Sequence, residues 1–351
     1  MISKIKERVI TPESSLLDAM KQMNNIRMKM LFVFDAEKFE GIVTIGDIQR
    51  AIIKGLPLST NLAEIVDRGK EYASPNEDIK SIRRKMLALR SECMPVVNED
   101  HELLDVIFWK DIFGQPEALH RDEIDVPVVI MAGGKGTRLK PLTNVIPKPL
   151  VPIGEKTILE EILDRFSAIG CRNFYVSVNY KSDMIKLYLD NLHLPYEVNF
   201  FKEPKPLGTI GSVSLLKDKL TIPFFVSNCD IIIDQDLRDV YRYHIDNKND
   251  ITIVTAVKSF KIPYGVIETG EEGLLKEILE KPEQTYMINT GVYVLNPELI
   301  KEIPENKFFH ITDLITKIRN QEGRIGCFPV SEESWSDMGE WPEYLKMINV
   351  Y

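Results

Sequence analysis

Hydrophobic positions change their spacing along this chain, and the change divides it. Between residues 8 and 117, short apolar runs alternate with amphipathic stretches, and the order repeats once. Val9-Ile-Thr-Pro12 matches Tyr72-Ala-Ser-Pro75 at an offset of 63. Each copy then predicts a helix, over 14–24 and 76–89, from apolar residues at helical spacing behind a polar cap. Apolar strands follow at 30–34 and 94–97, each closed by an acidic turn, with second strands at 41–44 and 104–108. An Asp opens the last helix of each copy, Asp47 or Asp111. Two β-α-β-β-α units of roughly 60 residues would hide their apolar faces against each other.

From residue 126 the pattern becomes a longer alternation. Val128 to Met131 is a continuous apolar run and predicts a buried strand. Ile158, Leu159, Ile162, Leu163, Phe166 and Ile169 recur at helical spacing over 157–169, and Gly170 stops that helix. Strands are expected at 174–178 and 196–201 around a helix at 183–191, and a further helix at 210–216. A strand over 221–230 ends in a carboxylate, Asp230. Such alternation predicts a mainly parallel α/β sheet with ligands at the carboxyl ends of its strands. The polar stretch 115–125 reads as a linker. The boundaries expected are 1–58 and 59–118 for the two copies, 119–125 for the linker and 126–351 for the large domain.

Composition narrows the function. The 351 residues are 44% hydrophobic and 28% charged, with a formal net charge of −9. That balance argues against nucleic acid or an anionic membrane as partner, so any phosphate must be held by local cations or a metal. Cys93, Cys171, Cys229 and Cys327 are far apart, with no metal-binding spacing. The five histidines form no zinc-enzyme pattern. No apolar run reaches about 18 residues and the first residues resemble no signal peptide, so a cytoplasmic protein is expected.

The candidate chemistry begins just after the strand at 128–131. Ala132, Gly133, Gly134, Gly136 and Thr137 form a glycine-rich loop, followed by Arg138 and, between two prolines, Lys148. Glycines after a strand let backbone N–H groups turn toward an anion. Two fixed cations beside them describe a polyphosphate site. The spacing fits neither a Walker A loop nor a dinucleotide fingerprint. A tight turn with solvated charges is the plainer alternative.

The run Val128–Thr143 with Pro147-Lys-Pro149 resembles the signature of the sugar-1-phosphate nucleotidyltransferases. Later segments resemble that family in the same order: Glu203 with Leu207-Gly-Thr-Ile-Gly211, Asn228-Cys-Asp230, Tyr264-Gly-Val266, Glu280-Lys-Pro282, Asn289-Thr-Gly291 and Trp335-Ser-Asp-Met-Gly339. The resemblance implies a Rossmann-like mixed, mainly parallel sheet. It also implies that Glu203 and Gly208 face the base. Tyr264, Gly265, Glu280, Asn289 and Thr290 would line the sugar pocket, and Lys281 would hold the sugar phosphate. Asp230 and Asp337 would share Mg²⁺. Cys229 stands where the family usually has Gly; it reads as a small buried hydrophobe. The implied reaction joins an NTP to a sugar 1-phosphate and releases pyrophosphate.

The first third resembles a pair of cystathionine-β-synthase-type (CBS) domains, so the chain would carry an α/β CBS pair ahead of the catalytic domain. In that family the Asp of Gly41-Ile-Val-Thr-Ile-Gly-Asp47, with the hydroxyl three residues before it, holds a ribose. Thr44 and Asp47 match; in the second copy Asp111 matches, but Phe108 replaces the hydroxyl. The resemblance implies an adenine nucleotide or pathway product as regulator, or a dimerising role. Both aspartates also suit helix N-caps. Such fusions resemble a bacterial surface-sugar subgroup that includes guanylyltransferases acting on glucosamine 1-phosphate toward legionaminic-acid-type sugars. GTP and an amino-hexose 1-phosphate are therefore the expected substrates. Mannose, glucose or heptose 1-phosphates with GTP, dTTP, UTP or CTP stand as alternatives. A non-catalytic nucleotide sensor is a rival of another class. A glycosyltransferase would need a metal-binding Asp-x-Asp, and Asp234-Gln-Asp236 has that spacing.

Overall fold

A computed structural model of the chain describes residues 5–26, 28–67, 69–89, 93–108 and 123–348. The chain divides into two compact units, Met1–Arg121 and Asp122–Tyr351. Asp111 and most of the expected linker lie outside the described residues.

In the first unit, strand Val9–Ile10 pairs in parallel with Met30–Asp35, which pairs antiparallel with Lys38–Thr44. The second copy repeats this with less hydrogen bonding. Ile10 lies opposite Val33, and a lone parallel bridge joins Ala73 to Val96; both partners have moved by 63 residues. Cys93–Val97 and Leu103–Phe108 form the second hairpin, in which Phe108 pairs with Cys93 as Thr44 pairs with Met30. Met30, Phe32, Phe34, Phe39 and Ile42 pack in one core with Cys93, Val97, Leu103 and Val106. Neither copy could cover these side chains alone. Met20, Met23, Met30 and Met94 are buried filling rather than surface.

The second unit is built on a seven-stranded sheet. Four parallel strands come in the order Glu197–Lys202, Asn173–Val178, Val128–Met131, Phe224–Asn228. Glu283–Leu295 follows, antiparallel to Phe224–Asn228 and to Ile251–Lys261, and Ile325–Ser331 closes the edge parallel to the latter. The sheet is thus mixed and mainly parallel. Thr157 starts helix Ile158–Ser167 with a reciprocal cap, its hydroxyl accepting from Glu160 N–H while the Glu160 carboxylate accepts from Thr157 N–H. One expectation needs correcting: 210–216 is not an α-helix but a 3₁₀ stretch, Gly211–Leu216. The buried residues explain it. Ile210, Val213 and Leu216 recur every three positions and all reach the core, which a three-residue turn aligns on one face.

Candidate active site

The strand Val128–Met131 lies mid-sheet with all four residues buried, so the chain leaves it at the carboxyl edge. The Ala132 N–H still serves the sheet, donating to the Ser177 carbonyl at 3.0 Å. Among the described residues, no backbone N–H from Gly133 to Arg138 has a hydrogen-bond partner. Gly134 and Thr137 are exposed. Successive free N–H groups in an exposed loop after a buried strand form a cradle for an anion.

The glycines of this loop have separate tasks. Gly136 has φ 63°, and a Cβ there would meet Lys148 Cβ at 2.9 Å and Thr143 Cγ2 at 3.0 Å. Only glycine lets the loop cross over the Lys148 segment in this conformation. At Gly133 a Cβ would strike the Glu203 carboxylate at 2.7 Å. Glu203 is buried. It accepts from the Ser177 hydroxyl at 2.6 Å and from the Leu207 N–H at 3.1 Å. Glu203 thus packs against Gly133 while its hydrogen bonds tie strand Asn173–Val178 to the Leu207–Gly208 turn. Gly208, at φ 85°, presses against the Phe309 carbonyl.

Lys148 opens a 3₁₀ turn between Pro147 and Pro149 and is buried. Its Nζ donates to Asp230 Oδ2. Asp230 and Asp337, distant in sequence, are brought together by a short antiparallel pair. Ile231–Ile233 runs against Trp335–Asp337 with Ile231 opposite Asp337, and the Met338 N–H donates to the Asp230 carbonyl at 2.8 Å. Arg138 completes the cluster: its guanidinium lies 2.5 Å from Glu340, 3.7 Å from Asp337 and 3.8 Å from Asp230.

Two cations thus face three carboxylates, and the titration behaviour reflects the imbalance. Burial and the Asp230 charge push the Asp337 carboxyl above its ordinary range, only partly offset by the Gly339 N–H, Lys148 and Arg138. Burial works against the Arg138 charge, but the Glu340 hydrogen bond and the surrounding carboxylates outweigh it and raise its pKa. Gly339 lines the gap. A Cβ there would stand 2.7 Å from Asp230 Oδ2, 2.8 Å from Asp337 Oδ1, and against Lys148 Nζ. Only glycine lets the chain pass this close to the two carboxylates, and two hard oxygen donors with residual negative charge are the donor type that a divalent cation such as Mg²⁺ takes. Among the described residues no three His, Cys, Asp or Glu side chains form a group that could hold a metal ion, so an ion on Asp230 and Asp337 would draw its further ligands from phosphates and waters. Cys229 beside the pair is buried, and burial with the Asp230 charge pushes its thiol up to about 12, which makes it inert.

The expected sugar residues are arranged differently. Tyr264, Gly265, Glu280 and Lys281 lie on an exposed segment between the strands Ile251–Lys261 and Glu283–Leu295. The Tyr264 side chain is 74% exposed, and the ion-pair partner of Lys281 is Glu280 at 4.0 Å. Asn289 turns back on its own strand, accepting from Gly291 N–H at 3.1 Å and the Tyr293 hydroxyl at 2.9 Å. Thr290 is buried and donates to the Val254 carbonyl at 2.8 Å, fastening the bulge between the two strands. Gly291 packs on Asn228 and Ile231, so this strand passes beside the Asp230 turn.

The Asp234-Gln-Asp236 alternative loses its footing. Asp236 caps helix Leu237–Asp246 and is gripped by Arg238 at 2.8 Å, while Asp234 points to solvent near Arg165 at 3.5 Å. In the first unit, Thr44 and Asp47 form a reciprocal cap on helix Ile45–Ile53. Asp47 also takes ion pairs from Arg50 and Lys70. Sequence reasoning missed Lys70, Ser177 and Glu340. Glu340 alone had a signal, a third carboxylate three residues after Asp337.

A nucleotidyl transferase family model matches residues 127–351, and a CBS domain model matches residues 2–54. A mannose-1-phosphate guanylyltransferase catalytic subunit beta from Drosophila pseudoobscura pseudoobscura is 36% identical over 230 residues. That match covers 64% of this chain and 62% of the relative. A mannose-1-phosphate guanyltransferase from Schizosaccharomyces pombe is 32% identical over 232 residues, covering 64% and 63%. The chain therefore spans less than two-thirds of each relative's length. A solved Bacillus anthracis structure, described as a candidate glucose-1-phosphate thymidylyltransferase in complex with a sucrose, shares the fold. Its TM-score is 0.51 at 20% identity, covering 64% of this chain and 94% of that one. No helix among the described residues is long and apolar enough to cross a membrane.

Proposed function

The chain belongs to the nucleotidyl transferase family, and from that premise we propose that it joins a nucleoside triphosphate to a sugar 1-phosphate, releasing pyrophosphate. GTP is the favoured nucleotide, supported by guanylyltransferase relatives. An amino-hexose 1-phosphate such as glucosamine 1-phosphate is the favoured acceptor, with mannose 1-phosphate the alternative that those relatives favour. The observation that carries the reading is the convergence of Lys148, Asp230, Asp337 and Arg138 beside a loop of unpartnered N–H groups.

A sugar phosphate oxygen attacks the α-phosphorus, a new P–O bond forms, and the bond to pyrophosphate breaks. A phosphate dianion is already a nucleophile, so no general base is required. Catalysis is positioning and charge neutralisation. The loop N–H groups and Arg138 take the β- and γ-phosphates and stabilise the leaving charge. Lys148 shifts from Asp230 to the α-phosphate. Lys281, on its exposed segment, takes the incoming phosphate and offsets repulsion between the two anions. Asp230 and Asp337 would hold Mg²⁺, which when bound supplies positive charge to both substrates.

The first unit, by this reading, is a regulatory nucleotide-binding or dimerising module around Thr44 and Asp47. Its ligand would be an adenine nucleotide or the pathway's end product. The test of the catalytic reading is a matrix of four NTPs against hexose, amino-hexose and heptose 1-phosphates, scored by pyrophosphate release. GTP with glucosamine 1-phosphate is expected to give the highest kcat/KM. Release with no pair would overturn the reading.

A further inference from the structure

Glu340 has no place in the scheme above, yet it is the group closest to the Arg138 guanidinium. Arg138 Nη1 lies 2.5 Å from Glu340 Oε1 and 3.7 Å from Asp337 Oδ2, and Nη2 lies 3.8 Å from Asp230 Oδ2. The three carboxylates differ in setting. The side chains of Asp230 and Asp337 are 10% and 20% exposed, whereas that of Glu340 is 47% exposed. Glu340 therefore draws the cation outward, toward solvent. Its own backbone is well fixed. The Tyr344 N–H donates to the Glu340 carbonyl at 3.0 Å, and the neighbouring Trp341 indole donates to the Lys140 carbonyl at 3.2 Å. The Tyr344 hydroxyl adds a bond to the Pro152 carbonyl at 3.1 Å. Arg138 sits in the 3₁₀ turn Thr137–Leu139, anchored by buried Leu139, so its guanidinium moves by rotation of its own half-exposed side chain.

Without Glu340, the nearest anions to Arg138 would be the two buried carboxylates. Lys148 already sits on one of them. A second cation falling onto the pair would neutralise it and oppose entry of a divalent ion. We propose that Glu340 is a positioning residue. It holds the Arg138 guanidinium off the Asp230–Asp337 pair in the nucleotide-free protein, keeping that pair open to a divalent cation and Arg138 available for phosphate. The inference rests on the cation and arginine roles given above, and it acts wholly through Arg138.

A double-mutant cycle on the full chain tests it, with Mn²⁺ alone as the probe and free Mn²⁺ read by electron paramagnetic resonance. Glu340→Gln is expected to weaken Mn²⁺ binding about threefold to fivefold, as suits a half-exposed ion pair. Arg138→Gln should tighten Mn²⁺ binding. The double variant should match Arg138→Gln alone, because Glu340 then has nothing to hold. The proposal is overturned if Glu340→Gln binds Mn²⁺ as tightly as the parent. It is equally overturned if the weakening persists at full size beside Arg138→Gln, since Glu340 would then act directly on the ion. Pyrophosphate release measured on the same proteins separates the two readings. A flat cycle with normal release removes only the Glu340 role. A cycle that behaves as described, with no release from any substrate pair, removes only the reaction.

Discussion

Each unit of this chain holds a buried aspartate gripped by a lysine and an arginine, and the two clusters differ in charge balance. In the first unit Asp47 pairs with both Lys70 and Arg50, with no second carboxylate on either among the described residues, and Thr44 adds its N–H at 2.7 Å and its hydroxyl at 2.8 Å. Burial pushes the Asp47 carboxyl up, but Lys70 and Thr44 outweigh it and hold the group below its ordinary range. In the second unit Lys148 and Arg138 face Asp230, Asp337 and Glu340, and Asp337 is held above its ordinary range. The first cluster has two cations for its carboxylate, so no negative charge is left over, and it secures a helix start. The second carries surplus negative charge, which a cation with a phosphate ligand would offset. The same residue types therefore build a helix cap with its ion pairs in one place and a cluster with surplus carboxylate in the other.

Substitution can break this contrast. The largest effect is expected at Arg138→Ala, which should lower kcat/KM for pyrophosphate release by about 10²–10³-fold with stability nearly unchanged. The converse is expected at Asp47→Ala. Losing a buried charge partner and a helix cap should destabilise the first unit by about 3 kcal/mol, read in chemical denaturation. Asp337→Asn sharpens the point with a smaller effect of opposite sign. Removing a carboxylate disfavoured by burial and by Asp230 should raise the stability of the ligand-free protein at neutral pH by up to about 1 kcal/mol, while abolishing turnover.

Titration should separate the clusters in the same way. The folded pKa of Asp47 is lowered, so its contribution is present above the unfolded value and lost as pH falls through the folded value. The folded pKa of Asp337 is raised, so its ionisation costs stability as pH climbs through the carboxylate range, and acidification removes that cost. Cation binding needs the ionised form. Mn²⁺ affinity should therefore begin to fall at a higher pH than an unperturbed aspartate would give, before the first unit loses its Asp47 contribution. Paired Mn²⁺-binding and unfolding curves between pH 3 and 7 would show it, within the usual carboxylate window.

Much of the architecture is legible in the sequence, because it depends on local periodicity. The apolar run at 128–131 and the helix at 158–167 follow from spacing alone, and the repeat offset of 63 recurs in the pairing of Ala73 with Val96. The 3₁₀ stretch at 211–216 is not legible as such, because its apolar residues also suit one face of an α-helix. Site residues named from motifs were legible as types but not as contacts. Nothing local says that Glu203 will spend both oxygens joining a strand to the Leu207 turn, or that Thr290 will fasten a bulge. Lys70 and Glu340 matter through partners 23 and 202 residues away, so only the folded chain reveals them.

The surplus-charge cluster as the seat of nucleotidyl transfer is tested most directly by Mg²⁺-dependent pyrophosphate release from GTP and glucosamine 1-phosphate, comparing the parent chain with Asp230→Asn. The parent should release pyrophosphate only with both substrates and Mg²⁺ present, and Asp230→Asn should lower the rate by at least about 10²-fold. Equal rates in the two proteins would contradict the account.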